Sequence, residues 1–389
     1  MTRRLLLTVP FVLLPLLFAA CGGGSAAPPS PPLTATAAAS AIATATATAT
    51  PTPVLIPSPL DGTMLTEAEW QQRRGLSPLA VMLDNSPEAF PHAGLDRADL
   101  VYEAFVEGGM TRLMAVFWRF EAPVVAPVRS ARTPFVIWAS ELDALYAHGG
   151  SAETDNEANA AGQIYEWEIK DLEAFANVSS AAYYRDGDRA APHDLSTATE
   201  RLRSAARALE YPASRALPVW RFSDAPPAGG VAAQGIEVDW SEARHATRLV
   251  QWRWDNAARR YLRFRLGGPD LDAVTRKQLA FTTVIVMRVP NEVVDFGGHV
   301  LLDQYGEGEA MVFAGGAVRQ AKWQKKNRED RTRLYDLTGA EIVFPRGPIF
   351  IEVVAPSTPI RIAAASSGLE PMPPYERREL PPTPTPAGR

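Results

Sequence analysis

Val101-Tyr-Glu-Ala-Phe-Val-Glu-Gly-Gly-Met-Thr-Arg112, the apolar run Leu113 to Phe120, and Pro127-Val-Arg-Ser-Ala-Arg132 form the stretch from which the rest of this chain is read. Val101, Glu103, Phe105 and Glu107 alternate, so on a strand they share one face. On a helix Glu103 and Glu107 would also share a face. Leu113 to Phe120 predicts a second, buried strand. Two carboxylates, the pair Gly108-Gly109, and Arg112, Arg129 and Arg132 thus lie among residues that otherwise read as core. Ionised groups are seldom buried unless paired. Either they form an internal ion-pair network, or they line a cleft that receives a polar ligand.

Upstream, Thr66 followed by Glu67-Ala-Glu69 predicts an N-cap with its capping-box glutamate. Leu79-Ala-Val-Met-Leu83 predicts a buried strand ending in Asp84-Asn85, and in open α/β sheets that carboxyl end is where ligands bind. Downstream, Thr133-Pro134 predicts an N-cap and a proline at the first helical position. Leu145-Tyr-Ala-His148-Gly-Gly-Ser151 reads as a strand entering a glycine loop. Thr197-Ala-Thr-Glu200 opens a helix running to about Leu209. Strands alternating with helices predict an α/β domain over residues 58–224.

Between Pro218 and Gly230 the chain reads as a loop or boundary, and beyond it the apolar period becomes two. Val250, Trp252 and Trp254 alternate with Gln251 and Arg253, and Tyr261-Leu-Arg-Phe-Arg265 follows a turn. Met311 to Arg319 and Leu334 to Phe344 carry hairpin signals. A mainly antiparallel β domain over 231–365 follows from this, then a disordered proline-rich tail over 366–389. The alternating tryptophans read as core of this domain in preference to a carbohydrate-stacking surface.

Residues 1–21 read as a lipoprotein signal peptide. Met1-Thr-Arg-Arg4 is basic, Leu5 to Phe18 is apolar but short for a membrane span, and Leu17-Phe-Ala-Ala precedes Cys21. Small residues before a cysteine resemble the lipobox of bacterial lipoproteins, in which that thiol is acylated. Two acyl chains anchor a protein stably to the bilayer. From residue 22 to 57 the composition is Ala, Thr, Pro, Ser and Gly, a disordered tether with a root-mean-square span of roughly 30 to 40 Å. The folded part has real cores to build, since 46% of the 389 residues are hydrophobic and 21% charged. A formal net charge of -5 argues against a nucleic-acid partner. Cys21 is the single cysteine, so the exported domains contain no disulfide.

Several runs together resemble the YerB-type lipoproteins, whose two halves are domains of unknown function. They are Val81-Met-Leu-Asp-Asn85, Gly94 to Glu103, Val106 to Arg112, Pro127 to Arg132, His148-Gly-Gly and Arg189-Ala-Ala-Pro-His-Asp194. Val312-Phe, Lys322-Trp323, Leu334-Tyr-Asp336 and Gly339-Ala-Glu-Ile resemble that family's second half. The likeness spans roughly Pro57 to Ala355. It departs at Phe90-Pro-His92, where the family tends to Arg-Pro-Gln, and at Asp194, where it tends to Asn. The resemblance implies an anchored, extracytoplasmic bacterial protein linked to the cell envelope, and brings no established catalytic residues.

Arg112, Arg129 and Arg132 are the strongest ligand-binding candidates, because guanidinium forks bind carboxylate or phosphate bidentately. Ser130 and the helix start beside them add main-chain donors. Asp84, Asn85, Glu103, Glu107, His148 and His193 complete the candidate cleft. Glu103, Glu107 and His148 are the weaker candidates for acid/base catalysis; carboxylates four apart on a strand lie about 13 Å apart, too far for glycoside cleavage. No metal-ligand spacing, Gly-x-Ser-x-Gly elbow or nucleotide-binding glycine pattern is present, so no metal or cofactor is expected. The reading is a binding lipoprotein for an anionic or saccharide wall component or an envelope protein. Its rivals are an enzyme acting on wall polymers and a purely structural docking protein.

Overall fold

The computed structural model describes residues 55–217, 219–226 and 229–376. Cys21, the signal peptide, nearly all of the tether and the last part of the tail lie outside the described residues.

Leu79–Asp84 is buried along its whole length, which suits a strand covered on both faces. It pairs antiparallel with Thr111–Phe117 and parallel with Leu145–His148. Thr111–Phe117 pairs on its other side with Leu100–Phe105. The central stretch is therefore two adjacent strands joined by a turn at Glu107–Gly109. Gly108 and Gly109 both take positive φ in that turn, a conformation glycine adopts without steric cost.

The remaining edge of Leu100–Phe105 is filled from the far end of the chain. Ile349–Val354 lies parallel to it, with Glu352 opposite Glu103. Ile349–Val354 pairs in turn with Thr283–Arg288, again parallel, and the sheet continues through the hairpin Gly306–Ala314 and Ala317–Lys325. The sum is one eleven-stranded sheet. The stretches 58–224 and 231–365, read from sequence as an α/β and a β domain, meet inside it. The physical reason is that buried strands need hydrogen-bonding partners on both edges. The molecule is mostly strand with few helices. In its C-terminal half antiparallel pairing prevails; among the described strands the exceptions are the two parallel neighbours of Ile349–Val354 and the parallel pair Arg221–Ser223 with Val343–Pro345.

Alternation sorts the sheet's side chains into two cores. Val81, Val101, Leu113, Val284 and Phe350 face a second, six-stranded sheet that contributes Ile236, Val250, Trp252 and Tyr261. Met82, Tyr102, Met114 and Ile351 face the opposite way, against Phe135, Val136 and Trp138 of helix Thr133–Glu141. Trp252 and Trp323 are both fully buried, the core role read from sequence. Glu141 at the helix end is buried and paired with Lys325 at 2.9 Å, tying the two halves together on that face as well.

Several local expectations shift. The capping box at Thr66 and Glu69 forms as read. Thr133 is the first residue of its helix rather than the cap, which is Arg132. Thr197 ends a strand, Leu195–Thr197, and the helix begins at Thr199. The hairpin expected over 334–344 is incomplete, because Val343–Pro345 leaves to pair in parallel with Arg221–Ser223. Part of the tail expected to be disordered is held on the second sheet. There Gln251 Nε2 donates to Glu370 O at 2.8 Å, and Arg244 pairs with the Glu370 carboxylate.

Candidate functional site

Strands Leu79–Asp84, Leu100–Phe105 and Leu145–His148 run in one direction, so their carboxyl ends fall on one edge of the sheet. Thr111–Phe117 starts at that edge, with Arg112 the cross-strand partner of Asp84. The helix Thr133–Glu141 also begins there, capped by Arg132. Most of the candidate side chains are brought to this edge, divided among four groups.

In the first, Asp84 holds Arg129 at 3.1 Å and His193 Nδ1 at 2.8 Å. Burial alone would raise the Asp84 carboxyl. The hydrogen bonds from His193 and the Ser86 amide, with the Arg129 charge, outweigh it and hold the group far below the usual carboxylate range. In the second, Glu107 accepts from Arg112 Nη2 at 2.9 Å and from Arg132 Nε at 2.8 Å. Against the effect of burial, the Arg132 hydrogen bond and both guanidinium charges lower the Glu107 carboxyl to about 2. Arg112 also donates to Ser130 O at 2.7 Å, so Ser130 contributes its carbonyl to this group. Burial, then the neighbouring Arg132, brings the Arg112 guanidinium down to about 10.

The third group is not on the surface at all. Glu103 is fully buried. Its Oε1 accepts from Asn85 Nδ2 at 2.8 Å and Thr111 Oγ1 at 2.7 Å, and its Oε2 from Arg263 Nη2 at 2.6 Å. Arg263 also pairs with Asp270, and Arg265 Nη1 stands 3.9 Å from Glu103. Opposite Glu103, the buried Glu352 accepts from Trp252 Nε1 at 2.9 Å. This cluster crosses from the main sheet to the second sheet, and Glu103 belongs to it rather than to a cleft. As an acid or base Glu103 has no access to a substrate.

His148 forms the fourth group, with Nε2 at 2.9 Å from Asp171 and Nδ1 at 2.8 Å from Gly150 O. It lines a pocket of about 380 Å³ together with Ser151, Glu153, Tyr165, Asp171 and Glu173. Both ring nitrogens face acceptors, so neither is left to activate Ser151. Among the described residues no group of three or more His, Cys, Asp or Glu side chains is placed to hold a metal ion. No helix of the described residues is long and apolar enough to cross a membrane.

Arg263, Arg265, Asp270, Glu352, Trp240 and Arg248 were not singled out from sequence. Two of them carried a signal: Tyr261, Arg263 and Arg265 alternate with Leu262 and Phe264, so a buried Tyr261 face takes both arginines with it.

The fold defines the class: a mostly-β protein whose two halves share one mixed sheet, with ionic clusters at its carboxyl edge and between its sheets. The chain belongs to the family described as protein of unknown function (DUF3048), whose N-terminal domain matches residues 64–212 and whose C-terminal domain matches residues 236–351. A relative from Bacillus subtilis (strain 168), named "Putative lipoprotein YerB", is 28% identical over 277 residues, covering 70% of this chain and 79% of the relative. The crystal structure of the YerB protein from Bacillus subtilis superposes with a TM-score of 0.69 at 24% identity, covering 79% of this chain and 99% of that one. The boundary between the two matched domains falls between chain segments, not between sheets.

Proposed function

We propose that this protein is an exported lipoprotein, anchored to the outer face of the cell membrane through acylated Cys21, that binds an anionic or saccharide component of the cell envelope at the carboxyl edge of its main sheet. The observation that carries this reading is the charge balance there. Arg112 and Arg132 share one carboxylate, Glu107, while Arg129 shares Asp84 with His193. Three guanidiniums against two carboxylates leave a cationic surplus, and the Arg129 side chain is 29% exposed. Guanidinium groups with residual charge favour carboxylate and phosphate ligands. The acid/base alternative is the weaker one, because Glu103 is buried and the Glu107 carboxyl is held ionised by its arginines. A protein partner is favoured by a different feature, the hairpin Asn291–Leu302, whose Val293 and Phe296 are fully or largely exposed.

The test is binding of the full chain, in detergent, to purified anionic wall polymer and to neutral glycan. Arg129→Ala is expected to weaken polyanion binding roughly tenfold, the scale of one charge-assisted hydrogen bond, with affinity falling as salt rises. An unchanged affinity in the variant overturns the reading. Shortened polymer would replace it with the enzyme.

A further inference from the structure

The described chain enters the fold at the end of the main sheet opposite the charged edge. Its first strand is Leu55–Pro57, and close behind it Asp61 O accepts from Gly347 N at 2.9 Å. Gly347 lies just ahead of Ile349–Val354, whose first residue pairs with Leu100 at the start of Leu100–Phe105. The entry is therefore at the amino end of these strands, and Arg112, Arg129 and Arg132 belong to the other end.

A pocket of about 250 Å³ opens at the entry end, lined by Asp224, Trp254, Arg259, Arg260, Thr282 and Arg346 among others. Thr282 directly precedes Thr283–Arg288 and Arg346 shortly precedes Ile349–Val354, strands that run the same way as Leu100–Phe105. Arg346 Nη1 donates to Gly62 O at 2.9 Å, tying the pocket to the entering chain. Arg259 and Arg260 come from the turn between Leu249–Asp255 and Arg260–Arg265 of the second sheet.

The lining carries more positive charge than it neutralises. Arg346 Nε pairs at 2.7 Å with Asp224, the one carboxylate in the lining. Arg259 and Arg260 are exposed, and among the described residues neither forms an ion pair. The carboxylates beneath are committed elsewhere. Asp61 and Asp99, both fully buried, are held by Arg119 at 3.1 and 3.2 Å. Thr63 Oγ1 also donates to Asp61, and the Trp118 amide to Asp99. Partial burial and the Arg119 charge lower the Arg260 guanidinium from its ordinary value, with Asp61 acting against them. A cation so placed gains from an added anion.

Guanidinium forks match phosphate oxygens with parallel hydrogen bonds. The volume falls below the 300–1,000 Å³ of sites for larger organic ligands, which suits a phosphodiester with its glycerol rather than a saccharide repeat. Trp254 stands in the wall, its Nε1 donating to Asn256 Oδ1 at 2.8 Å, and tryptophan favours the boundary between water and lipid. The tether read from sequence, with a span of roughly 30 to 40 Å, does not by itself decide which face of the body meets the bilayer. A charged contact beside the point of entry would.

We propose that this pocket binds the phosphate headgroup of an anionic phospholipid and docks the entry end of the main sheet on the membrane. The proposal rests on the anchored-lipoprotein reading above and adds an orientation to it: the Arg112, Arg129 and Arg132 edge then faces away from the bilayer.

The experiment places a fluorophore on the full chain at Ala258→Cys, in the pocket wall, or at Met110→Cys, in the turn at the carboxyl edge. Each chain is reconstituted in vesicles bearing a headgroup-linked quencher, made of phosphatidylcholine alone or mixed with phosphatidylglycerol. Quenching is expected at position 258 only with phosphatidylglycerol, fading as salt rises, and at position 110 with neither. Arg259→Ala with Arg260→Ala should lower the ratio of docked to undocked chains roughly thirtyfold, the scale for two arginines at an anionic surface. The corresponding pair of lysine substitutions should restore much of it. Equal quenching with both lipids, none at position 258, or no effect of the alanine pair overturns the proposal. Tight binding of free glycerol phosphate without vesicles also overturns it, in favour of a soluble phosphate. Two fluorophores per chain instead of one would show an unacylated Cys21 and refute the anchor. The Cys21→Ser chain mixed with the same vesicles then tests the pocket alone, and no response to phosphatidylglycerol overturns it there as well.

Discussion

Arg263 sets the charge balance of the interior. With Arg265 it faces Glu103 and Asp270, two cations against two carboxylates, and Glu352 is the fifth ionisable group. Burial, and then the Glu103 carboxylate, pushes the Glu352 carboxyl well above its ordinary value of 4.5. A proton on Glu352 keeps the cluster neutral. In the unfolded chain the same group ionises near its ordinary value, so the native state holds the proton over a pH range where the unfolded state does not. The stability tied to that proton is full below the ordinary range and is lost as pH rises through the folded value. Glu352→Gln, which keeps an acceptor for Trp252, should match the parent's Tm below the ordinary carboxylate range and exceed it as pH rises above that range. Thermal melts across pH check this; a variant that falls below the parent at high pH contradicts it. The sequence showed that Glu103 and Glu107 needed cationic partners. It did not show which, because Arg263 lies 160 residues from Glu103, and no local pattern encodes a pairing between two sheets.

At the scale of elements, the hairpin Gly306–Ala314 and Ala317–Lys325 depends on a missing side chain. Gly308 stands opposite Trp323, and a Cβ at position 308 would meet Trp323 Nε1 at 2.5 Å. Trp323 is fully buried and donates to Arg288 O at 2.9 Å, so the ring has little room to move. Gly308→Ala should destabilise the protein by roughly 1–3 kcal/mol, the usual scale of overpacking. The shift in urea midpoint measures it, and the effect should largely vanish when Trp323 is already replaced by Leu. The hairpin itself was legible from Met311 to Arg319, because period-two alternation and the Gly315-Gly316 turn agree. The helix starts were legible only to within a residue or two. Both Thr133 and Thr197 have cap chemistry, yet backbone pairing of Leu195–Thr197 and the position of Arg132 decided where each helix begins.

At the scale of the molecule, the two matched domains are sequence units that share one sheet. A chain cleaved at a protease site built into Gly229-Gly230 should elute as one particle, and its halves should part only in denaturant. Residues 58–224 expressed alone should lack a cooperative melt, since Leu100–Phe105 would lose its neighbour Ile349–Val354. A soluble, cooperatively melting fragment would refute this. The change in composition and period near residue 224 was visible in the sequence, and it was read as a boundary between bodies. A buried strand with both edges to fill looks the same in sequence whether its second partner is near or far. The distance matters in time as well as in space. A ribosome delivers Leu100–Phe105 long before Ile349–Val354, so the young chain carries an open sheet edge until that second strand emerges. Such an edge invites wrong partners. The arrival of Ile349–Val354 is therefore also a closing step, and the open edge of Leu100–Phe105 is covered only then.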